Sequence, residues 1–408
     1  MTEATSATPA PDALAGVLAD APFVRLVATD DGDALAAAGL LARALRATGT
    51  PFQARVDPGP VPDDVDDGVA VAVGVDRGPH AIPGTGRPAS TAAFAVARAL
   101  GAEPDPVVAL AGVVAAGSIP GADGSGDALD AAERAGRVER RPGVALPVSG
   151  ATEDSPSRAE ALAASTLAST RYSGDPEAAR DALAPLGLPA DPDADDRRRF
   201  ASLVAVDAVD GDDASERAAS AVERALRPYA TDDPFETVGG YADVLDALAR
   251  EAPGTGVALA LASDPDPSLR SAALDAWRRH GLAAHRALDA ATVGRYDGCV
   301  VARVDASLAV LPTVARLVRD FRSPEPVAVA LDEGAGRLAA AATGGGRAAG
   351  DAAAEPISLG DACRTAAGEV GGDGWGTPAR GGIAVEPDAS DASDADITAA
   401  LAALREAI

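Results

Sequence analysis

Two near-continuous apolar runs, residues 23–28 (FVRLVA) and 69–75 (VAVAVGV), constrain this chain most. Each is short, rich in valine and bounded by turn residues, the pattern of a strand covered on both faces. Between them lie an apolar-periodic helix at 34–48 and a further strand at 52–56, and two Ala-rich helices follow at 89–100 and 105–116. Strands alternating with helices predict an α/β fold built on a doubly wound parallel sheet.

Filling that sheet falls to small side chains. Hydrophobic residues make up 47% of the 408 residues and aromatics only 3%, so each buried residue removes less area from water than in a Leu- or Phe-rich core. The length gives room for two domains and an inserted helical region. Charge is the second constraint. Asp and Glu number 62 against 35 basic residues, every one of them arginine, for a net charge of −27. A carboxylate-rich surface stays solvated in molar salt, where exposed charges are screened within a few ångströms. The composition therefore reads as halophilic adaptation, the alternative being an acidic partner-binding surface. It does not exclude nucleic acid, because a few clustered arginines suffice to face phosphates.

Cys299 and Cys363 stand far apart with no CxxC, which excludes a disulfide framework and a zinc site. No run of about 18 apolar residues occurs, and the first 21 residues lack the basic-then-apolar order of a leader. A cytoplasmic chain with no membrane partner is expected.

Composition divides the chain into an Ala/Pro/Thr-rich start at 1–20, an α/β domain at 21–150, a helical continuation at 151–292 and a smaller α/β domain at 293–408. The helical part carries segments near 157–169, 176–185, 191–208, 214–228, 234–251 and 267–290. Ser155-Pro156, Asp175-Pro176, Asp233-Pro234 and Asp266-Pro267 read as capped helix starts. The run 256–262 (GVALALA) reads as a buried strand. In the last part, strands are expected at 299–304, 326–331, 337–342 and 382–386, with helices at 311–321, 359–370 and 397–408. Gly344-Gly345-Gly346-Arg347 reads as a flexible tip and 388–396 as a solvated loop.

Three places carry chemistry. The turn Asp30-Asp31-Gly32-Asp33 follows the first strand, at the carboxyl edge where doubly wound sheets bind ligands. Clustered aspartates are hard ligands suited to Mg²⁺ or Mn²⁺, and a metal there activates water; the alternative is a plain capping turn. Asp76, at the end of the 69–75 strand, stands beside Asp31 in such a sheet, so Asp31, Asp33 and Asp76 are the metal candidates. The third place is the run from Gly371 to Gly382. There Gly371, Gly372 and Asp373 let backbone approach a phosphate, Trp375 stacks a base and Arg380 meets a phosphate, or the run is a loop around a packed Trp. His80, His280 and His285 are not spaced as a metal set, and Arg197-Arg198-Arg199 and Arg278-Arg279 read as solvated faces. There is no GxSxG, HExxH or Walker A motif.

The order of these parts resembles the RecJ-like DHH phosphoesterase superfamily, in particular its archaeal members. Val27-Ala28-Thr29-Asp30-Asp31-Gly32 matches the family's His-x-Asp-x-Asp-Gly, with Val27 for the His and Thr29 for the first Asp. Asp76-Arg77-Gly78 matches its Asp-x-Gly, and residues 109–117 match its small-residue helix, with Ser118 where an Asp belongs. The Asp-His-His triplet is missing. Residues 165–183 and 239–261 resemble RecJ-like segments, and the last part resembles the DHH-associated domain, with Gly371-Gly372-Asp373 in place of its Gly-Gly-His loop.

The resemblance implies a Mn²⁺- or Mg²⁺-dependent phosphodiesterase ancestry. A two-metal site needs five or six carboxylate and imidazole ligands, and the matching positions supply two. The resemblance therefore implies an impaired enzyme that serves DNA replication or repair by binding single-stranded DNA or RNA, or helicase components such as MCM and GINS. The alternative is an active single-strand exonuclease or phosphodiesterase using Asp31, Asp33 and Asp76. A metabolic α/β enzyme is the third reading.

Overall fold

Four short strands, β1 (Val24–Ala28), β2 (Phe52–Val56), β3 (Val69–Val73) and β4 (Ala81–Ile82), pair in the order β2-β1-β3-β4, every neighbour parallel. This is the open parallel sheet that the valine runs predict, seen in a computed structural model that describes residues 10–59, 68–148, 156–211, 214–343, 358–385 and 393–408. The fold is α/β with many helices and a second, C-terminal sheet. The chain divides into two compact units, Met1–Ala161 with Arg227–Trp277, and Leu162–Leu226 with Arg278–Ile408.

In the first unit, helix Gly32–Thr48 is buried along most of its length. It packs against helices Ala89–Ala99, Pro106–Ala115, Val238–Glu251 and Pro253–Leu261. Small residues permit that approach. A Cβ at Gly39 would lie 2.6 Å from the Cβ of Ala260, so alanine and glycine bring backbones together where larger side chains would hold them apart. Asp31 caps the helix start and Gly49, at φ 78°, ends it in the left-handed region that glycine adopts without strain. β5 (Glu139–Arg140) and β6 (Tyr229–Ala230) form a small antiparallel pair in the same unit.

Residues 256–262 are not a strand. They lie in helix Pro253–Leu261 and its C-cap. The run is Ala/Leu-rich, which favours helix over strand, and Pro253 occupies a helix-start position. Arg43 donates from Nε to the Ala260 carbonyl at 2.8 Å and from Nη2 to that of Ala262, closing the helix end. The expected caps hold at Asp175 and Asp266, each accepting two backbone N–H groups. Asp233-Pro234 does not start a helix; Thr237 caps the one that begins at Val238. Ser155 lies outside the described residues, as does the glycine run 344–347.

The second unit carries a six-stranded mixed sheet, in the order β11-β12-β10-β9-β8-β7. Its strands are β7 (Thr292–Tyr296), β8 (Cys299–Arg303), β9 (Val327–Asp332), β10 (Arg337–Ala342), β11 (Asp373–Thr377) and β12 (Arg380–Ala384). β8 and β9 are parallel and the other neighbours antiparallel. One face is covered by helices Leu359–Glu369 and Ser393–Ala407 through Val329, Leu338, Ala340, Cys363, Ile383, Leu401 and Leu404. The expected helix 311–321 is α-helical only over Leu311–Leu317 and continues as a π turn, Val318–Arg322. The expected loop 388–396 is helical from Ser393, its earlier part lying outside the described residues.

Candidate functional site

Asp31 and Asp33, at the carboxyl edge of the first sheet, are placed by the turn from β1 into helix Gly32–Thr48. Asp31 sits in extended backbone at the helix N-cap. Its Oδ1 accepts the Ala34 N–H at 2.9 Å, and its Oδ2 accepts the Thr29 hydroxyl at 2.5 Å. Thr29 is held down by Gly74, where a Cβ would come within 2.1 Å of its Oγ1. A neutral hydroxyl thus stands where the family resemblance calls for a carboxylate, and it serves Asp31.

Asp33 is turned elsewhere. Its Oδ2 accepts the Ala89 N–H at 2.6 Å and its Oδ1 the Ser90 N–H at 2.9 Å. These are the first amides of helix Ala89–Ala99, whose own preceding residue, Pro88, offers no side-chain cap. Burial, and then the nearby Asp31 charge, push the Asp33 carboxyl up to about 7, against the pull of these hydrogen bonds. Asp31 and Asp33 are each less than a tenth exposed. Asp30 is half-buried, and Asp76 lies exposed on the loop after β3.

Two acids of helix Val238–Glu251 were not singled out by residue spacing, and one of them, Asp246, bonds this turn. Asp246 Oδ1 accepts the Gly32 N–H at 3.1 Å, and its Oδ2 pairs with Arg250 at 2.6 Å. Asp243 accepts the indole N–H of fully buried Trp277 at 2.9 Å. Their sequence signal is a pair of aspartates three apart, set among apolar residues up to Arg250. Gly32 is required there, because a Cβ would lie 2.9 Å from the Asp246 nitrogen.

This donor set does not fit a pair of divalent ions. Among the described residues no group of three or more His, Cys, Asp and Glu side chains is arranged to hold a metal. For Asp33 to turn to an ion it would abandon two buried amides, each costing about 1–3 kcal/mol when left unpaired. Nor do His280 and His285 supply ligands. His280 bonds Thr313 and His285 bonds the Ser165 carbonyl, both at 2.9 Å in the second unit. Arg198 and Arg199 pair with Asp195 and Asp196 on an exposed helix face.

The glycine run of the second unit is a β-hairpin rather than a loop. Strand alternation explains its glycines. Gly374, Gly376 and Gly381 share one face with Ile383, against helix Leu359–Glu369. A Cβ at Gly374 would lie 2.4 Å from the Cys363 carbonyl, and one at Gly381 2.5 Å from the Cys363 sulfur. The opposite face carries Trp375, Gly382 and Arg380, with the indole lying over Gly382, where a Cβ would come within 2.7 Å of the ring. Trp375 and Arg380 are partly exposed. Gly371, at φ 73°, and Gly372 lead from the helix into the hairpin, and Asp373 opens it, exposed. The hairpin thus brings Trp375 and Arg380 to one face, and Gly371 and Gly372 to its entrance.

Residues 291–406 match the family described as uncharacterized protein rrnAC1427, C-terminal domain. Over 381 residues the chain is 46% identical to the uncharacterized protein rrnAC1427 of Haloarcula marismortui, covering 92% of both. Among solved structures it is similar to CDC45 from Entamoeba histolytica, with a TM-score of 0.53, 9% identity and 97% of both chains covered. It is also similar to RecJ in complex with Mn²⁺ from Thermus thermophilus, with a TM-score of 0.47, 15% identity, 97% of this chain and 54% of that one. Exonuclease RecJ bound to manganese gives a TM-score of 0.45, with 14% identity, 97% of this chain and 92% of that one. The chain thus spans about half the length of the Thermus RecJ chain. The CDC45 likeness shows the fold alone; the RecJ superpositions are looser. No helix among the described residues is long and apolar enough to cross a membrane.

Proposed function

This chain belongs to the family of the Haloarcula marismortui protein rrnAC1427, and we propose that it is a RecJ-like, DHH-type protein that binds rather than cleaves. It acts in DNA replication or repair, holding single-stranded nucleic acid, helicase components such as MCM and GINS, or both. One observation carries this reading. The two acids of the turn after β1, Asp31 and Asp33, have all four oxygens taken up by donors of their own chain.

The edge that a metal-dependent phosphodiesterase uses to activate water is here a structural junction. Asp31 starts one helix, Asp33 starts another, and Asp246 ties a third to the turn. With these acids committed to donors of their own chain, recognition is the contribution this reading assigns to the chain. The Trp375 face of the hairpin offers a stacking platform, worth about 1–3 kcal/mol per base. Arg380, on the same face, offers a fork for a phosphate, and Gly371, Gly372 and Asp373 form its approach.

Purified protein in molar KCl with Mn²⁺ and labelled single strands tests this. Retention of the strands without turnover is expected. Turnover that disappears in Asp31→Ala would overturn the reading in favour of a metal-dependent exonuclease.

A further inference from the structure

Elsewhere in this chain acids outnumber arginines, but one cluster of the second unit reverses the balance. Asp320, buried in the π turn, accepts Arg224 Nη2 on Oδ2 at 2.7 Å, and Arg319 Nε and Nη2 on Oδ1 at 2.7 and 2.6 Å. Arg316 stands 3.9 Å from Oδ2. Arg217 lies alongside, donating to the carbonyls of Arg319, Pro324 and Glu325. Four guanidinium groups therefore gather around one carboxylate. The crowding registers on Arg217, held below its ordinary range first by burial and then by the Arg319 charge, against the pull of Asp320 and Glu325.

The four arginines do not do the same work. Arg217 is spent on carbonyls at and beyond the π turn, and Arg319 also donates to the Ala342 carbonyl at 3.0 Å. Both are fixed as structure. Arg224 makes one hydrogen bond through Nη2, and its Nε and Nη1 donate to no group among the described residues. Its side chain is 18% exposed, whereas Arg316 is spent on Thr166, donating to its carbonyl at 3.1 Å and its hydroxyl at 2.6 Å. The cluster thus presents an oriented guanidinium edge, backed by a surplus of positive charge, at the protein surface.

We propose that this cluster binds the phosphodiester backbone of single-stranded nucleic acid, with Arg224 donating to a phosphate oxygen and Asp320 holding Arg224 and Arg319 in register. The proposal rests on the single-strand reading above and adds a second contact to it. A guanidinium fork matches the two non-bridging oxygens of a phosphate. In molar salt the screening length is about 3 Å, so only such direct contacts survive, and long-range attraction to a charged partner does not. Phosphates recur at a fixed spacing along a strand, whereas peptide carboxylates sit on separate flexible arms.

The test uses the full chain, fluorescein-labelled oligothymidylate and anisotropy across a KCl series. Arg224→Gln is expected to weaken binding about tenfold and to lower the slope of log K against log[KCl] by about one, with its melting temperature unchanged. Wild-type affinity and slope in folded Arg224→Gln overturn the proposal while leaving the single-strand reading standing. Failure of the wild-type protein to bind the oligonucleotide sinks that reading, and the cluster's role with it. Equal displacement by polyglutamate overturns the proposal in favour of an acidic peptide. Should Arg224→Gln melt early, Arg224→Lys is read instead, since it keeps the charge without the fork. Weaker binding with an unchanged slope then supports the proposal, and unchanged affinity overturns it.

Discussion

The turn after β1 and the β11–β12 hairpin begin from the same kind of sequence signal, a short run of residues that usually means chemistry, and the chain spends them differently. In the turn, the aspartates are drawn inward and saturated by amides and a hydroxyl. In the hairpin, the glycines on one face are consumed by a helix, while the other face keeps an indole and an arginine partly exposed. Motif residues thus acquire a role only through their donors and neighbours. Buried acids with full sets of partners are architecture. The aromatic and the cation of the strand face are the groups on which the proposed binding rests.

The hairpin half of that comparison breaks most visibly. Gly374→Val places a side chain where the Cys363 carbonyl already lies within 2.4 Å of a Cβ. Chemical unfolding at fixed KCl is expected to show a loss of about 3 kcal/mol or more. Gly368→Ala, in the same covering helix but with nothing within 4 Å of the added Cβ, is expected to gain about 0.5–1 kcal/mol. Equal losses in both would mean that the glycines are not placed by helix contact.

The turn half is sharpened by Asp33→Asn. An amide cannot accept both helix-start N–H groups, and a loss of about 1–3 kcal/mol is expected. pH separates this from a generic cavity effect. The Asp33 carboxyl titrates near 7 in the fold and near 4 in the unfolded chain, so between those values the native state holds the extra proton. Its contribution therefore falls as pH rises from about 4 to about 7 and levels off above. Asp33→Asn is expected to remove that downward component from the stability curve. An unchanged curve would mean that the Asp33 carboxyl does not bind the extra proton in the fold.

Smaller effects complete the series. Thr29→Val removes the donor to Asp31 and is expected to cost about 1 kcal/mol. Asp76→Asn, on its loop, is expected to stay within about 0.5 kcal/mol of wild type. If Asp76→Asn cost as much as Asp33→Asn, the two acids would belong to one site after all.

Much of the first sheet was legible because valine runs and helix periodicity leave little choice, and β2 occupies the residues its pattern predicts. Legibility failed where side chains were too small to carry a pattern. The run GVALALA is apolar at every position, so period could not separate strand from helix, and Arg43 at the helix end gives no local sign. β11 was invisible because glycines alternate with other residues without a hydrophobic face. Asp246 was missed for a different reason. A helical aspartate in a chain with 62 acids reads as solvated surface, and only the fold shows it reaching the Gly32 amide. The candidate turn itself was found, but the direction in which the Asp33 carboxylate faces depends on amides at Ala89 and Ser90, which lie far along the chain.

Titration of the wild-type protein with Mn²⁺ in molar KCl, beside Asp31→Ala and Asp33→Ala, tests the central claim most directly. Only weak uptake by the acidic surface is expected, the same in all three proteins. A stoichiometric site for one or two ions, present in the wild type and lost in either variant, would contradict it.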